Sequence, residues 1–475
     1  MQGALPGATR GVWPRRLLLG VLAVALIVRL CALYQFADVD TLRGDEVYYT
    51  TVARAIAAGA GHPGSLRPPL YPTMVAAVLA VAGDDLLAVR VVQILLSLCT
   101  VVCVFHVCRR RFGLAAAGVS GLLCAVSPGL VHYSHFLWSE GLNALLVAIL
   151  FVLLDRVDRR ADLPTIVGAG LVLGLLALTR ETWLYFVPIV ALWIFLGQPG
   201  AGGAGAGSRT LAAGALLVGT VIIVVPWAIR NQRVQGEAVL ISTNRWFPIA
   251  MGNLYPPESW FYGTPGERAR GYLRRRPGAD EGEGSQRVGA KRDAPVGATE
   301  LERDRYWKGV ALTAIGSEQP WWIVKKIVRN VAFLLYANTQ ELRFLGEGWV
   351  QPSRLGAVTL VATSLAGYLL TVVPGFAAFW LVVGDRLKPL AVLAVLQVAA
   401  VHILANANPR FLVPVLPLLA LYAGPVMSGS LTGARLGWWR WAGAGATVAV
   451  CTVLPALPSR LFLSVLWSRV QMLAS

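Results

Sequence analysis

The sequence predicts an all-α fold, a polytopic integral membrane bundle of helices. Of 475 residues, 56% are apolar and only 14% are charged, whereas a soluble domain carries about 25% charged residues. The mean hydropathy is +0.61. This composition excludes an ordinary soluble enzyme and a disordered chain, which requires low hydrophobicity. It also excludes a transmembrane β-barrel, whose alternating strands are only weakly hydrophobic.

Long apolar segments predict about eleven transmembrane helices, since about 20 helical residues cross the roughly 30 Å hydrocarbon core. The first follows three arginines and lacks a small-residue cleavage site, which is typical of an uncleaved anchor. The predicted spans are Leu17–Phe36 and, approximately, 86–108, 114–131, 136–154, 164–180, 183–196, 210–229, 354–383, 389–404, 411–427 and 441–457.

The basic residues orient these helices. Cytoplasmic loops are enriched in Lys and Arg, and an N-terminus on the inside places most of the loop arginines there. The net charge of +17 is therefore attributed to inner loops and to contact with anionic membrane lipids. We expect no nucleic-acid partner.

Two long outer segments interrupt the predicted single transmembrane domain, residues 1–475. One covers 37–85 and the other covers 230–352. The second contains a polar stretch rich in Gly and Pro, 264–308. Long loops of this kind are typical of lids or of flexible segments, and we predict a flexible stretch here.

The first outer segment carries two adjacent acids, Asp45 and Glu46, at the start of an amphipathic pattern that ends before Gly59. Asp45 fits the N-cap position, where a carboxylate accepts backbone N–H bonds. The same pair also fits a general base held at a rigid helix start. The sequence leaves both interpretations open.

Arg67 is followed by two prolines and then by a short apolar run to Gly83. Prolines stop a helix, and about 14 apolar residues are too few to span a bilayer. A re-entrant or interfacial helix is predicted, with Arg67 at headgroup depth. Arg67 either snorkels towards water or contacts a phosphate.

A second interfacial helix is predicted over Pro320–Tyr336. One face is apolar, and the other carries Lys325, Lys326 and Arg329. Such a helix lies in the interface and attracts anionic headgroups. It serves either as an anchor or to capture a lipid phosphate.

Glu140 lies just inside an apolar run, and an intramembrane acid is a candidate site residue. His132 and His135 stand close before it, which is weak evidence for a metal site. No metal ligand is assigned, and a divalent metal is left open. Arg410 precedes a late span at its outer end, and Arg29, within the first span, is interpreted as a snorkelling residue.

Several short motifs occur in an order that resembles one family. Together they are similar to the GT-C glycosyltransferases of family 39 type, which include protein O-mannosyltransferases and the lipid A aminoarabinose transferase. The motifs extend over most of the chain. They are Asp45-Glu46 with Tyr48-Tyr49, Arg67-Pro-Pro-Leu-Tyr, then 226–231 (PWAIRN), 241–244 (ISTN), Gly252-Asn253 and 409–414 (PRFLVP).

The resemblance implies transfer of a sugar, with inversion, from a polyprenyl-phosphate sugar donor at the outer face of the membrane. It implies that Asp45 is the base, that Glu46 is the second acid, and that Arg67 and Arg410 contact the carrier phosphate. The family usually has Tyr where this chain has Phe411. The expected site consists of the acids Asp45 and Glu46 with the substrate-binding residues Tyr49, Arg67, Glu140, Lys325, Arg329 and Arg410.

The resemblance further implies a lipid, polysaccharide or protein acceptor and a bacterial inner membrane, with the site facing the periplasm. No cofactor is strictly required, because fixed cations neutralise a leaving phosphate. The alternative is a transporter or flippase of lipid-linked or anionic substrates. Transporters typically contain internal repeats and helices interrupted at the midplane, whereas the candidate residues here gather at one outer face.

Overall fold

The computed structural model describes residues 12–36, 42–160, 162–197, 206–254, 297–317, 319–335, 354–430 and 436–453. Within these ranges all regular elements are helices, which confirms the all-α prediction. The first half contains α1 (Val12–Phe36), α2 (Asp45–Ala57), α3 (Leu70–Ala82), α4 (Leu86–Phe112), α5 (Leu114–Val126), α6 (Pro128–His132), α7 (Glu140–Arg160), α8 (Leu163–Thr179), a 3₁₀ segment (Glu181–Phe186), α9 (Val187–Leu196) and α10 (Ala206–Gln235).

The described part of the second half of the chain is helical as well. It contains α11 (Trp246–Leu254), α12 (Glu300–Gly316), α13 (Trp322–Leu334), α14 (Arg354–Gly367), a π segment (Tyr368–Val372), α15 (Val373–Leu381), α16 (Lys388–Leu404), a 3₁₀ segment (Pro409–Val415), α17 (Leu416–Met427) and α18 (Trp438–Val453).

Five helical stretches among the described residues are long and apolar enough to cross a membrane. The last of them is central, since 83% of its apolar window is buried. On α1 and α10, by contrast, large apolar side chains such as Ile27 and Ile222 are exposed, as a lipid-facing surface requires. The chain is a multi-pass membrane protein, and the count of eleven spans stays a prediction. The five stretches are Trp13–Tyr34, Leu86–Phe112, Ala206–Gln235, Val358–Leu381 and Pro409–Met427.

The two short helices α2 and α3 form an outer unit against the start of α4. Their buried side chains, among them Tyr49, Tyr71 and Val75, pack on Leu137 in the segment before α7. The predicted short helix before Gly83 is confirmed as α3. The N-cap interpretation of Asp45 is wrong, because α2 begins at Asp45 and its N-cap is Gly44, with φ of 57°.

Arg29 is fully buried, so its interpretation as a snorkelling residue is wrong. Its guanidinium donates to Ser97 Oγ of α4 at 2.9 Å and to the carbonyl of Ala125 at 2.9 Å. Ala125 lies in the last turn of α5, where carbonyls have no partner within the helix. Arg29 therefore closes the end of a neighbouring helix, which compensates for the cost of burying its charge.

Helices α8 and α10 cross at very close range through small residues. A Cβ at Gly170 would overlap the carbonyl oxygen of Leu216, and a Cβ at Gly219 would overlap that of Val167. Thr220 Oγ1 donates across the crossing to the Gly170 carbonyl at 3.1 Å. Small residues allow such backbone contact in membrane helices, and the crossing holds the end of α8 beside the outer segments.

At the end of α4, Arg111 binds three carboxylates. It pairs with Asp155 and Asp158 of α7 at 2.8 Å each, and with Asp385 in the turn before α16. Tyr422 of α17 also donates to Asp385. This cluster joins the two halves of the chain at the end of the bundle opposite to the outer unit.

Most of the predicted flexible stretch 264–308, residues 264–296, lies outside the described residues. Its last residues begin α12 at Glu300 instead of forming a loop. A capping box fixes this start: Thr299 Oγ1 accepts from the backbone N–H of Glu302, and the Glu302 carboxylate accepts from the Thr299 backbone.

Candidate active site

Asp45 lies between two arginines at the end of the bundle opposite to the Arg111 cluster. Arg67 Nη2 approaches Asp45 Oδ1 to 2.8 Å, and Arg410 Nη2 approaches Oδ2 to 3.1 Å. The three side chains come from the start of α2, from the loop before α3 and from the 3₁₀ segment before α17. The structure thus brings together three residues that the sequence predicted and that lie up to 365 positions apart.

Glu140, at the start of α7, extends this cluster. Its Oε1 accepts from Arg180 Nη2 at 2.9 Å and lies 3.7 Å from Arg410 Nε. Arg180 follows the last residue of α8, Thr179, and is not among the predicted site residues. Its position at the end of an apolar run was the signal that would have made it a candidate.

Glu46 faces away from this cluster. It is buried, and its carboxylate accepts from the backbone N–H groups of Leu137 at 2.8 Å and Arg43 at 3.0 Å. Arg90 Nη2 lies 4.0 Å away. Glu46 thereby ties α2 to the segment just before Glu140. Its role as a second catalytic acid stays a prediction.

Aromatic rings flank the guanidinium groups. Arg67 lies over the rings of Tyr48 and Tyr49, at 5.1 and 5.4 Å from their centroids. Arg410 lies over Trp138 at 4.6 Å, and Phe411 faces both Arg410 and Arg180. Such cation–π contacts stabilise the charges and restrict their directions. The predicted substrate-binding residue Tyr49 is thus placed beside Arg67.

The electrostatics of the two acids differ. Burial would raise the pKa of Asp45, but Arg410 and Arg67 outweigh burial and hold the pKa of this carboxyl well below its usual range. For Glu46, burial dominates and raises the pKa above its ordinary value. Of the two acids, Asp45 is therefore the one whose ionised form the surrounding charges stabilise.

The charge cluster around Asp45 can bind an anion. Three guanidinium groups (Arg67, Arg180, Arg410) meet two carboxylates (Asp45, Glu140), which leaves a positive excess. The Nε of Arg67 and the Nη1 of Arg180 are buried without a hydrogen-bond partner among the described residues. Buried donors without partners are costly, and an anionic group placed here would satisfy them.

On the basic helix α13, the basic residue that faces inwards is not one of the two predicted to bind substrate. Lys325 is exposed and Arg329 is half-buried, whereas Lys326 and Asn330 are buried. Lys326 Nζ donates to the Gly252 carbonyl of α11, and Asn330 donates to the Ile403 carbonyl at 2.6 Å. The substrate-binding roles of Lys325 and Arg329 stay predictions.

The two histidines before Glu140 do not form a metal site. Within the described residues, no group of three or more His, Cys, Asp or Glu side chains is placed to hold a metal ion. The His135 carbonyl instead accepts from Arg90 Nε at 3.0 Å, which joins the segment before Glu140 to α4.

Comparisons with known proteins bear on this geometry. Residues 66–229 match the family model described as dolichyl-phosphate-mannose-protein mannosyltransferase. The matched segment includes Arg67, Glu140 and Arg180. No curated protein matches this chain at a significant level.

The oligosaccharyltransferase of Archaeoglobus fulgidus has a similar structure, with a TM-score of 0.52 and 13% sequence identity over 94% of this chain. The chain has a GT-C glycosyltransferase fold. The GT-C resemblance drawn from the motifs is thereby confirmed. The chain spans only 55% of the archaeal protein's length.

A further GT-C structure that resembles this chain is ArnT from Cupriavidus metallidurans, bound to undecaprenyl phosphate. Its TM-score is 0.40 with 16% identity, and the match covers 92% of this chain and 77% of the other.

Proposed function

We propose that the protein is a glycosyltransferase that takes a sugar from a polyprenyl-phosphate donor and transfers it, with inversion, to an acceptor hydroxyl or phosphate. The observation that carries this proposal is the carboxylate of Asp45 held between Arg67 and Arg410 at the outer end of a GT-C fold. The description of the matched family names a dolichyl-phosphate-linked sugar, which is a donor of this class.

The donor phosphate would bind among Arg67, Arg180 and Arg410. Guanidinium groups bind phosphate oxygens with two parallel hydrogen bonds, and donors on Arg67 and Arg180 have no partner among the described residues. Bound in this way, the phosphate is also stabilised as a leaving group, since charge develops on it in the transition state.

The reaction would be a single displacement. The acceptor oxygen forms a bond to the anomeric carbon while the bond from that carbon to the phosphate oxygen breaks, and polyprenyl phosphate leaves with the electron pair. For a hydroxyl acceptor, the proton passes to the Asp45 carboxylate. Attack opposite the leaving group inverts the anomeric configuration.

Donor binding would also adjust Asp45 itself. A carboxylate paired with two arginines is a weak base, because both cations lower its pKa. A phosphate that engages Arg67 and Arg410 withdraws part of that stabilisation and raises the proton affinity of Asp45. The base would therefore become effective only once the donor is in place.

Location and acceptor complete the proposal. The site would face the periplasm from a bacterial inner membrane, and the acceptor would be a lipid, a polysaccharide or a protein. The transporter alternative gains no support from the family match or from the similarity of fold, and the cluster of charges at one end of the bundle suits chemistry at a membrane surface.

The proposal is tested by transfer assays with purified protein and radiolabelled polyprenyl-phosphate sugars. We expect transfer by the unmodified protein and none by Asp45→Asn. The variant should still bind undecaprenyl phosphate at least as tightly, because removal of the carboxylate frees both arginines.

The matched control is Asp84→Asn, which removes an exposed acid in the turn between α3 and α4 that pairs with Arg54 of α2. This variant should transfer normally. Undiminished transfer by Asp45→Asn would remove Asp45 from the mechanism. Movement of labelled lipid across proteoliposomes without bond formation would favour the transporter.

A further inference from the structure

Ser65 is anchored by all three of its polar groups, two positions before Arg67. It is fully buried. Its N–H donates to Glu300 Oε2 at 2.9 Å, its carbonyl accepts from the Thr243 N–H at 2.9 Å, and its hydroxyl donates to Asn231 Oδ1 at 2.8 Å. We call Ser65, Asn231, Thr243 and Glu300 the Ser65 clamp.

The clamp joins segments that are distant in sequence. The Asn231 amide, also fully buried, donates to the Ile241 carbonyl at 3.0 Å and so holds the 239–243 segment against the end of α10. The adjacent Arg230 donates to the carbonyls of Gly64, at 2.8 Å, and His62. Three outer segments thus converge on the residues just before Arg67.

The other side of Arg67 is restricted as well. Pro68 and Pro69 have fixed φ angles, and α3 begins directly after them at Leu70. Arg67 is therefore held between a hydrogen-bonded anchor and a rigid helix start. A side chain whose backbone is held in this way reaches its partner with a smaller loss of conformational freedom on binding.

We propose that Ser65 and Asn231 are positioning residues that direct the Arg67 guanidinium at the carrier phosphate, an inference that rests on the proposed function. It assigns a role to the PWAIRN and ISTN motifs, which supply Asn231 and Thr243 yet lie outside the charge cluster. The clamp acts on the reaction only through Arg67.

A double-mutant cycle tests this inference. Ser65→Ala removes only the hydroxyl, and we expect it to lower kcat/KM for the donor about ten-fold, as expected for a displaced binding group. In an Arg67→Ala background the same change should alter kcat/KM less than about two-fold, because no guanidinium is left to position. Ser65→Thr keeps the hydroxyl and should restore most of the activity.

The control is Ser120→Ala, which also removes a fully buried, hydrogen-bonded hydroxyl, but from α5 far from the site. It should leave kcat/KM unchanged. Equal losses from Ser65→Ala with and without Arg67, or an equal loss from Ser120→Ala, would overturn the inference.

A second double-mutant cycle measures the binding of undecaprenyl phosphate alone and needs no transfer. It uses the unmodified protein, Ser65→Ala, Arg67→Ala and the double variant. If the unmodified protein transfers no sugar but the binding cycle is non-additive, the proposed function fails while the positioning role stands. If transfer occurs and both cycles are additive, the positioning role alone fails.

Discussion

The acid–base properties of individual site residues depend on the groups that they contact. Asp45 and Glu46 are neighbours in sequence, yet one faces two arginines and the other faces backbone N–H groups and Arg90. As a result their pKa values move in opposite directions. An acid kept ionised beside cations suits substrate chemistry, whereas Glu46 serves to hold two segments together.

The depressed pKa of Asp45 predicts a pH-dependent contribution to stability. Because the folded-state pKa lies below the ordinary value of about 3.9, the ionised pair stabilises the fold fully above that value, and the stabilisation is lost as pH falls through the folded pKa. Asp45→Asn should lower the free energy of unfolding by about 1–3 kcal/mol at pH 7, since it leaves charged donors without a partner.

Thermal unfolding in detergent between pH 7 and pH 4 measures this effect. The difference between the two proteins should stay constant down to about pH 5 and shrink near the ordinary pKa of the carboxyl. A difference that grows as the pH falls would contradict the expected sign. Asp84→Asn, which breaks an exposed pair, should show little difference at any pH.

Among the helices, the crossing of α8 and α10 decides how the outer segments approach the site. Arg180 follows α8, and the Ser65 clamp includes Asn231 near the end of α10. The length of the apolar segments predicted both helices, but it gave no sign that they touch through Gly170 and Gly219. That contact depends on the direction in which each glycine faces, and this is set by the packing of the whole bundle.

Gly170→Ala tests this crossing. The added methyl would overlap the Leu216 carbonyl, a backbone atom that cannot rotate away, so we expect a loss of about 1–3 kcal/mol in the free energy of unfolding. Transfer should fall as well, because Arg180 moves with α8. Thermal unfolding and the transfer assay measure the two effects.

Gly168→Ala is the matched control on the same helix. Its Cβ would meet Leu153 Cδ1 at 3.9 Å, an ordinary contact, and alanine favours a helix over glycine. Equal losses from the two variants would show that close packing at Gly170 is not the cause.

On the scale of the whole molecule, charge is separated between the two ends of the bundle. The Arg111 cluster lies at one end, and the Asp45 cluster lies at the other. Loop charges predicted that the first of these ends is cytoplasmic and, with it, that the site is extracytoplasmic. Helix α4 connects the two ends, because its 27 residues rise about 40 Å, enough to cross a bilayer.

Thiol labelling tests this orientation. Asp84→Cys and Arg109→Cys, made in a background without the native cysteines, put exposed thiols near opposite ends of α4. A membrane-impermeant maleimide added to intact cells should label position 84 directly and position 109 only after the membrane is permeabilised. The reverse pattern would place Asp45 in the cytoplasm and exclude a periplasmic site.

The sequence by itself determined the fold class, the short helices of the outer unit and most of the charged residues of the site. These follow from local properties: apolar length, proline positions, and the cost of placing charge near lipid. Only the tertiary structure decided that Asp45, Arg67 and Arg410 meet, that Arg180 joins them, that Glu46 and Arg29 bind backbone, and that Lys326 instead of Lys325 faces inwards. Each of these depends on side-chain direction and on contacts between distant segments, which a pattern along one chain does not specify.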